Sequence, residues 1–196
     1  MIGDVDEALR QLLIQELPIK DNQVEVKFDQ PNRDWSARVS QPTLNIYLYD
    51  VRENKALRQT RPMWERFEDE NGNMVQRRRP VRMDLHYMVT AWATEAEDEH
   101  QLLSGALMAL LRYANLPEEI LPTRLREQPV PIPIMIAQYD EMRNPSDVWS
   151  ALDNEVRPSV VCIITLSVNP YAAIPLAPGI KEPPIIQTDQ MSEKAR

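Results

Sequence analysis

The segment Pro80–Pro117, with the sequence PVRMDLHYMVTAWATEAEDEHQLLSGALMALLRYANLP, predicts a long strand followed directly by a helix. In Val81–Trp92 apolar residues recur at every second position, which places them on one face of a strand. The alternate positions are polar up to His86 and largely apolar from Met88 onward. We therefore expect the second face of the strand to be half exposed at its start and buried towards its end.

The second half of the segment has the pattern of an amphipathic helix over residues 95–114. Thr94 and Glu97 have the spacing of a capping box, in which a hydroxyl and a carboxylate each accept a backbone N–H at the start of a helix. Leucines and alanines at intervals of three or four residues then form one broad apolar face. Asn115 predicts a left-handed end of the helix.

The rest of the chain predicts a second main helix, further strands and proline-rich connections. Apolar spacing predicts helices at 4–17 and 147–153 and strands at 24–28, 43–51, 132–138 and 160–168. The last strand is apolar on both faces at its start, which is typical of a central strand. Residues 29–42 and 116–133 contain prolines that predict a loop and an extended crossing.

These elements predict an α+β fold with a mixed, largely antiparallel sheet covered by helices 4–17 and 95–114. Leu85 and Leu107 lie at the centres of their apolar faces and are expected to meet between sheet and helix. This domain is expected to comprise residues 1–169. Residues 170–196 alternate prolines with small apolar residues and predict a tail without a core of its own.

Composition and charge indicate a soluble protein of a reducing compartment. The 196 residues are 43% hydrophobic, which is ordinary for one folded domain. Cys162 is the only cysteine and excludes an internal disulfide. No apolar run has the roughly 18 residues that span a bilayer, and the N-terminus lacks the pattern of a signal peptide. The sequence therefore predicts a cytoplasmic protein without membrane insertion, and its net charge of −8 argues against general affinity for nucleic acids.

The positive charge is concentrated in one segment that predicts a projecting β-hairpin arm. Residues 55–82 contain eight basic and four acidic residues, a local charge of +4 that leaves −12 for the rest of the chain. Asn71-Gly72, between Met63–Phe67 and Met74–Arg79, is a strong hairpin signal. The apolar content is too thin for an independent core, so we expect the arm to be mobile or ordered by a neighbouring molecule.

No pattern in the sequence predicts catalysis, a metal site or a cofactor. Neither His86 nor His100 has a second histidine or a cysteine at ligand spacing. The acids after Thr94 are typical of the first turn of a helix, where the backbone dipole favours negative charge. The four glycines form no phosphate-binding loop.

The candidate functional residues are therefore those of an interface. The arginine triplet Arg77–Arg79 lacks the interleaved aromatic residues that stack on bases, which favours a solvated or protein-docking arm. Trp92 and Trp149 lie on apolar faces and are expected in the core, whereas Trp35 and Trp64 are candidates for a protein interface. The predicted interface residues are Trp35, Arg58, Arg61, Trp64, Arg66, Arg77, Arg78 and Arg79.

Three blocks of sequence together resemble one protein family. They are Asn45–Asn54 (NIYLYDVREN) followed by Leu57-Arg58, Leu85–Trp92 (LHYMVTAW) with Glu99–Leu103 (EHQLL), and Trp149–Leu152 (WSAL) followed by Arg157–Ser159 (RPS). Their order and spacing resemble the N-terminal domain of the cap, or tail-terminator, proteins of contractile injection systems of the Photorhabdus virulence cassette and antifeeding prophage type. The resemblance covers residues 1 to about 169.

The resemblance implies a structural protein that is not an enzyme. It implies an α+β domain that forms a homohexameric ring on the end of the inner tube distal to the baseplate, touches the last sheath layer and stops both polymers from growing. The implied partners are further copies of the chain, the inner tube protein and the sheath protein, within a particle assembled in the cytoplasm. Two alternatives stay open: a baseplate or sheath-adaptor component, and an enzyme with an unrecognised site.

Overall fold

The computed structural model describes residues 1–17, 24–58, 63–138 and 145–176. The helices and strands are, in order, α1 (Ile2–Glu16), β1 (Glu25–Lys27), α2 (Arg33–Ser36), β2 (Thr43–Glu53), β3 (Trp64–Glu68), β4 (Met74–Arg78), β5 (Val81–Trp92), α3 (Ala96–Leu111), a 3-10 helix (Glu118–Ile120), α4 (Thr123–Arg126), β6 (Ile134–Ile136), α5 (Pro145–Ala151), β7 (Ser159–Val168) and β8 (Ile174–Pro175). They belong to two units. We call Met1–Thr60 with Pro80–Pro170 the body, and Arg61–Arg79 with Tyr171–Arg196 the arm unit.

The body contains a five-stranded sheet in the order β1-β2-β5-β7-β6. Strand β5 is central and pairs antiparallel with β2 on one side and with β7 on the other. Strand β6 also runs antiparallel to β7, whereas the edge strand β1 runs parallel to β2. The predicted α+β class with a mixed, largely antiparallel sheet is therefore confirmed.

One face of this sheet carries the main core beneath α1 and α3. The predicted apolar parity of β5 is confirmed, because Leu85, Tyr87, Val89 and Ala91 are buried with the apolar face of α1. The first four residues of β5 are only partly buried and the remaining eight are buried. This pattern agrees with the expected change along the strand, although burial begins early enough to include His86.

The opposite face of the sheet carries a smaller core built around three tryptophans. Trp35 and Trp92 meet edge to face with ring centroids 5.2 Å apart, and Trp149 lies 6.3 Å from Trp92. Met88 and Leu152 complete the buried cluster. The burial of Trp92 and Trp149 follows the prediction from their apolar faces.

Trp35, predicted as a candidate for a protein interface, is buried within the body. The predicted loop contains the short helix α2, whose start is capped by Asn32 through a 2.8 Å hydrogen bond from the backbone N–H of Trp35. The cap turns the indole onto the sheet, where only 8% of Trp35 remains exposed. The indole N–H donates to Asp29 at 2.8 Å. The polar group is thus satisfied while the ring fills the core.

Helix α3 is shorter than the predicted 95–114, and neither predicted end is formed. Glu95 occupies the capping position without a side-chain hydrogen bond, so the Thr94 capping box is absent. The helix stops at Leu111 because the following residues pair with a later segment. The backbone N–H of Leu116 donates to Ile132, and that of Ile134 donates to Ala114.

The buried face of α3 is rotated relative to the prediction. Ala106, Ala109 and Leu110 are buried, whereas Leu107 is only partly buried. Small residues let α3 approach its neighbours closely: a methyl group added at Gly105 would lie 3.1 Å from the side chain of Leu17 at the end of α1. The packing of α1 beside α3 therefore decides which stripe faces inward.

The start of α1 and the proline-rich crossing also differ from the sequence predictions. Helix α1 begins at Ile2, before the predicted cap at Asp4, and no side chain caps its start. The proline-rich crossing is not fully extended, since residues 116–133 contain the 3-10 helix and α4. Their apolar residues Ile120 and Leu125 are buried in the main core.

Candidate assembly interface

The arm unit contains the predicted hairpin, with β3 and β4 paired antiparallel. The backbone N–H of Gly72 donates to Asp69, and the N–H of Asp69 donates to Asn73, both at 2.9 Å. Gly72 has φ +79°, a left-handed conformation that glycine adopts at low cost. The turn is therefore a three-residue loop ending in glycine, and Asn71-Gly72 is not its central pair.

Side chains on one face of the hairpin are buried or contact one another within the arm unit. Val75 is buried, and Phe67 lies opposite it in the register. Arg77 forms an ion pair with Glu65, and its guanidinium lies 4.7 Å from the centroid of the Phe67 ring. These contacts engage the charge of Arg77 inside the unit.

The other face is exposed and combines cations with apolar side chains. Trp64 lies opposite Arg78 and Arg66 lies opposite Gln76, so all four side chains share this face. Trp64 is 45% exposed and Met74, on the same face, is 47% exposed. One acid, Glu68, also lies there, at the end near the turn. We call this surface the cationic face.

The C-terminal segment adds a third strand to the arm unit that sequence reasoning missed. Strand β8 pairs antiparallel with β4 and places Ile174 opposite Gln76, on the cationic face. The guanidinium of Arg78 lies 5.6 Å from the ring centroid of Tyr171 and 5.8 Å from that of Trp64. Strand β8 has only two residues, and one of them is Pro175. So short a strand leaves no alternating pattern in the sequence, and the segment therefore has the pattern of a tail.

The structure brings together five of the eight predicted interface residues. Trp64, Arg66, Arg77, Arg78 and Arg79 belong to the arm unit, although Arg77 points to the opposite face from Arg78. Arg58 belongs to the body, where it is exposed and pairs with Glu53 at 3.4 Å. Trp35 is buried in the body core. Arg61 lies outside the described residues.

The body has a cleft of about 570 Å³ between α2, the end of β5 and the loop before β7. Trp92 lines it, and the guanidinium of Arg157 lies 4.4 Å from the centroid of the Trp92 ring while pairing with Glu99. Arg33 also lines the cleft. Arg33 and Arg157 are thus the two cations of the lining.

Two acids of the lining balance these cations. They are Asp153 and Glu155, both exposed in the loop before β7. We call this site the Trp92 cleft. Its lining carries as many cations as acids and therefore has no net formal charge.

The titratable groups with shifted pKa values lie in structural positions. Tyr87 donates to Asp6 at 2.8 Å and links β5 to α1. Burial raises the pKa of Asp6, and this hydrogen bond partly opposes the shift. Burial also raises the pKa of Tyr87, as does the negative charge of Asp6. Burial raises the pKa of the Cys162 thiol to about 12, which keeps it protonated and poorly nucleophilic at neutral pH.

The described part of the chain contains neither a grouped set of metal ligands nor a membrane-spanning helix. Among residues 1–17, 24–58, 63–138 and 145–176, no three His, Cys, Asp or Glu side chains are grouped as ligands for a metal ion. None of the helices in those ranges is long and apolar enough to cross a bilayer. The features that the structure does supply are the cationic face and the Trp92 cleft.

Two solved structures share this fold. The chain aligns over 98% of its length with the sheath/tube terminator, in the extended state, of the PVC extracellular contractile injection system, with 23% identity and a TM-score of 0.69. It aligns over 98% of its length with the tube terminating cap of the anti-feeding prophage, with 18% identity and a TM-score of 0.59. The alignments cover 65% and 61% of those chains, so this chain spans less than two thirds of either.

A family model agrees with these structural similarities. No curated protein matches the sequence. The model of the Pvc16 N-terminal domain matches residues 4–177, nearly the whole chain. The match includes all three blocks that carry the resemblance seen in the sequence, and the chain therefore belongs to the Pvc16 N-terminal domain family.

Proposed function

We propose that this protein terminates the inner tube and the sheath of a contractile injection system at the end distal to the baseplate. The observation that carries this proposal is membership of the Pvc16 N-terminal domain family over residues 4–177. The fold shared with a sheath/tube terminator and a tube terminating cap supports the same role. The protein acts as a structural component and not as an enzyme, and it uses neither a metal nor another cofactor.

The terminator acts as a homohexameric ring that contacts the inner tube protein and the last layer of sheath protein. The ring assembles in the cytoplasm and is incorporated into the particle, without binding nucleic acid or inserting into a membrane. A closed ring of this kind needs two different, complementary surfaces on each subunit. The separation of a basic segment from an otherwise acidic chain supports such a pair of surfaces.

The arm unit supplies one of these surfaces. Its interface residues are Trp64, Arg66, Arg78 and Arg79, with Arg58 and Arg61 adjoining them in the sequence and Arg77 supporting the arm from its other face. Exposed aromatic and arginine side chains are enriched at protein interfaces. Exposed ion pairs contribute about 0–1 kcal/mol each, so the charges orient the contact while Trp64 and Met74 supply apolar area.

Electron microscopy of particles assembled without this protein tests the terminator role. Overlong or ragged tubes are expected, because nothing would stop polymerisation at the distal end. Missing baseplates would instead support a baseplate or sheath-adaptor component. Particles of normal length with intact baseplates would contradict both roles.

Arginine substitutions on the two faces of β4 test whether the arm takes part. Replacing Arg77, Arg78 and Arg79 together with glutamate should weaken ring formation or capping. The single variants Arg78→Gln and Arg77→Gln form a matched pair, since each removes one charge from adjacent positions facing opposite sides. Arg78→Gln should reduce the oligomer mass in light scattering and lengthen tubes, whereas Arg77→Gln should change both little. Equal effects of the two would refute the assignment of the cationic face.

A further inference from the structure

Two strands of this protein have a long edge that no other described strand covers. Strand β3, with five residues, is an outer strand of the arm sheet and pairs only with β4. Strand β2 has eleven residues, but β1 covers its outer side only at Thr43–Asn45. We call Trp64–Glu68 the β3 edge and Leu48–Glu53 the β2 edge.

The remaining edges of the two described sheets are short or shielded. Strands β1 and β6 have three residues each, and β8 has two, one of which is Pro175. Arg10 donates to the backbone oxygen of Val26 in β1. The side chain of Gln128 exchanges two hydrogen bonds with the backbone of Ser167 and so shields β7 beside β6. Proteins commonly shorten or shield strand edges because open edges pair with other chains. The two long edges are exceptions to this protection.

The hydrogen bonds of the hairpin show which backbone groups point outward at the β3 edge. In an antiparallel pair, every second residue bonds to the partner strand, and the residues between direct their N–H and C=O to the other side. The N–H of Arg79 donates to Met63 at the base of the hairpin. The register then directs the backbone groups of Trp64 and Arg66 away from β4.

The same alternation applies to the β2 edge. The N–H of Asn54 donates to Arg82 at the start of β5. The register therefore directs the backbone groups of Glu53 and Val51 away from β5. Each edge thus presents donors and acceptors in the arrangement that another strand requires.

We propose that the β3 edge of one copy pairs antiparallel with the β2 edge of the next copy. This inference rests on the proposed ring, for which it supplies the two different surfaces of a head-to-tail contact. The occupant is a second copy of this chain, because each chain carries one edge of each kind, of similar length. The added strand satisfies backbone groups of both copies and joins the arm sheet of one to the body sheet of the other.

Charge complementarity selects the register of this pairing. In one register Glu65 lies opposite Arg52, and no residue lies opposite one of like charge. Its other pairs are Trp64 with Glu53, Arg66 with Val51, and Phe67 with Asp50. A shift of two residues in one direction places Glu65 opposite Asp50, and a shift in the other places Asp69 opposite Asp50. Both shifts are disfavoured, because like charges directly opposite each other repel.

This register also brings predicted interface residues together. Trp64 is 45% exposed and Val51 is 43% exposed. They become diagonal neighbours across the two strands, a separation that aromatic side chains can reach. Arg58 pairs with Glu53 and so borders the β2 edge, next to the position that Trp64 takes.

A disulfide across the pairing tests it on the full chain. The variant with Arg52→Cys and Glu65→Cys places two thiols at positions that do not exchange backbone hydrogen bonds. The Cα atoms of such a pair are about 4.5 Å apart, which lies within the range of about 4.4–6.8 Å for disulfides. After oxidation we expect a ladder of covalent oligomers on a non-reducing gel. Cys162 is buried and does not compete.

Two comparisons separate this pairing from non-specific contact. Arg52→Cys with Glu68→Cys places the second cysteine out of register on the same strand and should give no ladder. Val51→Pro removes an N–H that points away from β5, so the body should melt like the wild type. Its self-association in sedimentation should weaken about tenfold, because a backbone hydrogen bond is lost and a proline ring meets the added strand. Val51→Thr keeps the N–H and should associate like the wild type.

The pairing is overturned if oxidation gives no ladder although both cysteines react with a thiol reagent. A disulfide formed within one chain, or an equal ladder from the out-of-register variant, overturns it as well. Equal association of Val51→Pro and Val51→Thr has the same consequence. Tube length in particles that lack the protein is a separate measurement, so the terminator role can hold even when this pairing fails.

Discussion

Truncation of two tryptophans distinguishes the protein core from the assembly interface. Trp35→Ala removes a ring that is 8% exposed, and Trp64→Ala removes one that is 45% exposed on the cationic face. We expect Trp35→Ala to destabilise the folded chain strongly with little direct effect on association. Trp64→Ala should leave the stability nearly unchanged and weaken association.

The structure sets the size of the expected loss. Removing a buried tryptophan to alanine costs about 3–5 kcal/mol, which includes the cavity left behind. Within that total, the edge-to-face contact with Trp92 contributes about 0.5–1.5 kcal/mol. The hydrogen bond to Asp29 contributes about 0.5–1.5 kcal/mol, since the exposed carboxylate of Asp29 regains water. A chain of this size loses about 2–4 °C of melting temperature per kcal/mol, so we expect a fall of about 6–20 °C.

Thermal and urea unfolding at low protein concentration measure this loss without a contribution from association. Trp35→Phe keeps an aromatic ring in the cluster and loses only the hydrogen bond and part of the area, so its stability should lie between those of wild type and Trp35→Ala. If Trp35→Ala melts like the wild type and instead abolishes association, the ring is an interface residue and its placement in the core is wrong.

Three further predictions follow from packing, ionisation and chain division. Leu110→Ala should cost about 2–5 kcal/mol of unfolding free energy in a denaturant titration. Leu107→Ala should cost clearly less, because Leu107 is only partly buried. Equal losses would mean that α3 packs as its leucine spacing predicted. Burial raises the folded-state pKa of Asp6 above its ordinary value of about 3.8. Between these two pKa values the folded chain holds a proton that the unfolded chain has released. The stability of the fold therefore falls as the pH rises through this range. Asp6→Asn should remove this fall and make the protein more stable than wild type at neutral pH, whereas a pH profile of melting identical to wild type would contradict the shift. A chain ending at Asn169 should keep the cooperative melting of the body, since the described residues it removes pair with the arm strand β4; loss of that transition in calorimetry would show that residues 170–196 complete the core.

Much of the candidate interface could be predicted from local sequence, but its two faces could not. The hairpin follows from Gly72 and the flanking strands, and the charge of the arm follows from counting. The strand register decides which arginine pairs with an acid inside the arm unit, because Arg77 and Arg78 are adjacent in sequence and point to opposite faces. The contribution of Tyr171 depends on a pairing between distant segments, and the Trp92 cleft depends on loops far apart in the chain.

Local sequence patterns determined which segments of this protein form strands and helices. Long-range contacts decided where some of these elements end and which side chains are buried. The period of two in Val81–Trp92 determined a strand with one fully apolar face, since alternate side chains of a strand point to opposite sides. Tertiary structure alone decided that Trp35 is buried, because its partners Trp92 and Trp149 come from separate parts of the chain. Tertiary structure also decided that α3 ends at Leu111, since the residues that follow form backbone hydrogen bonds with a later segment and do not continue the helix.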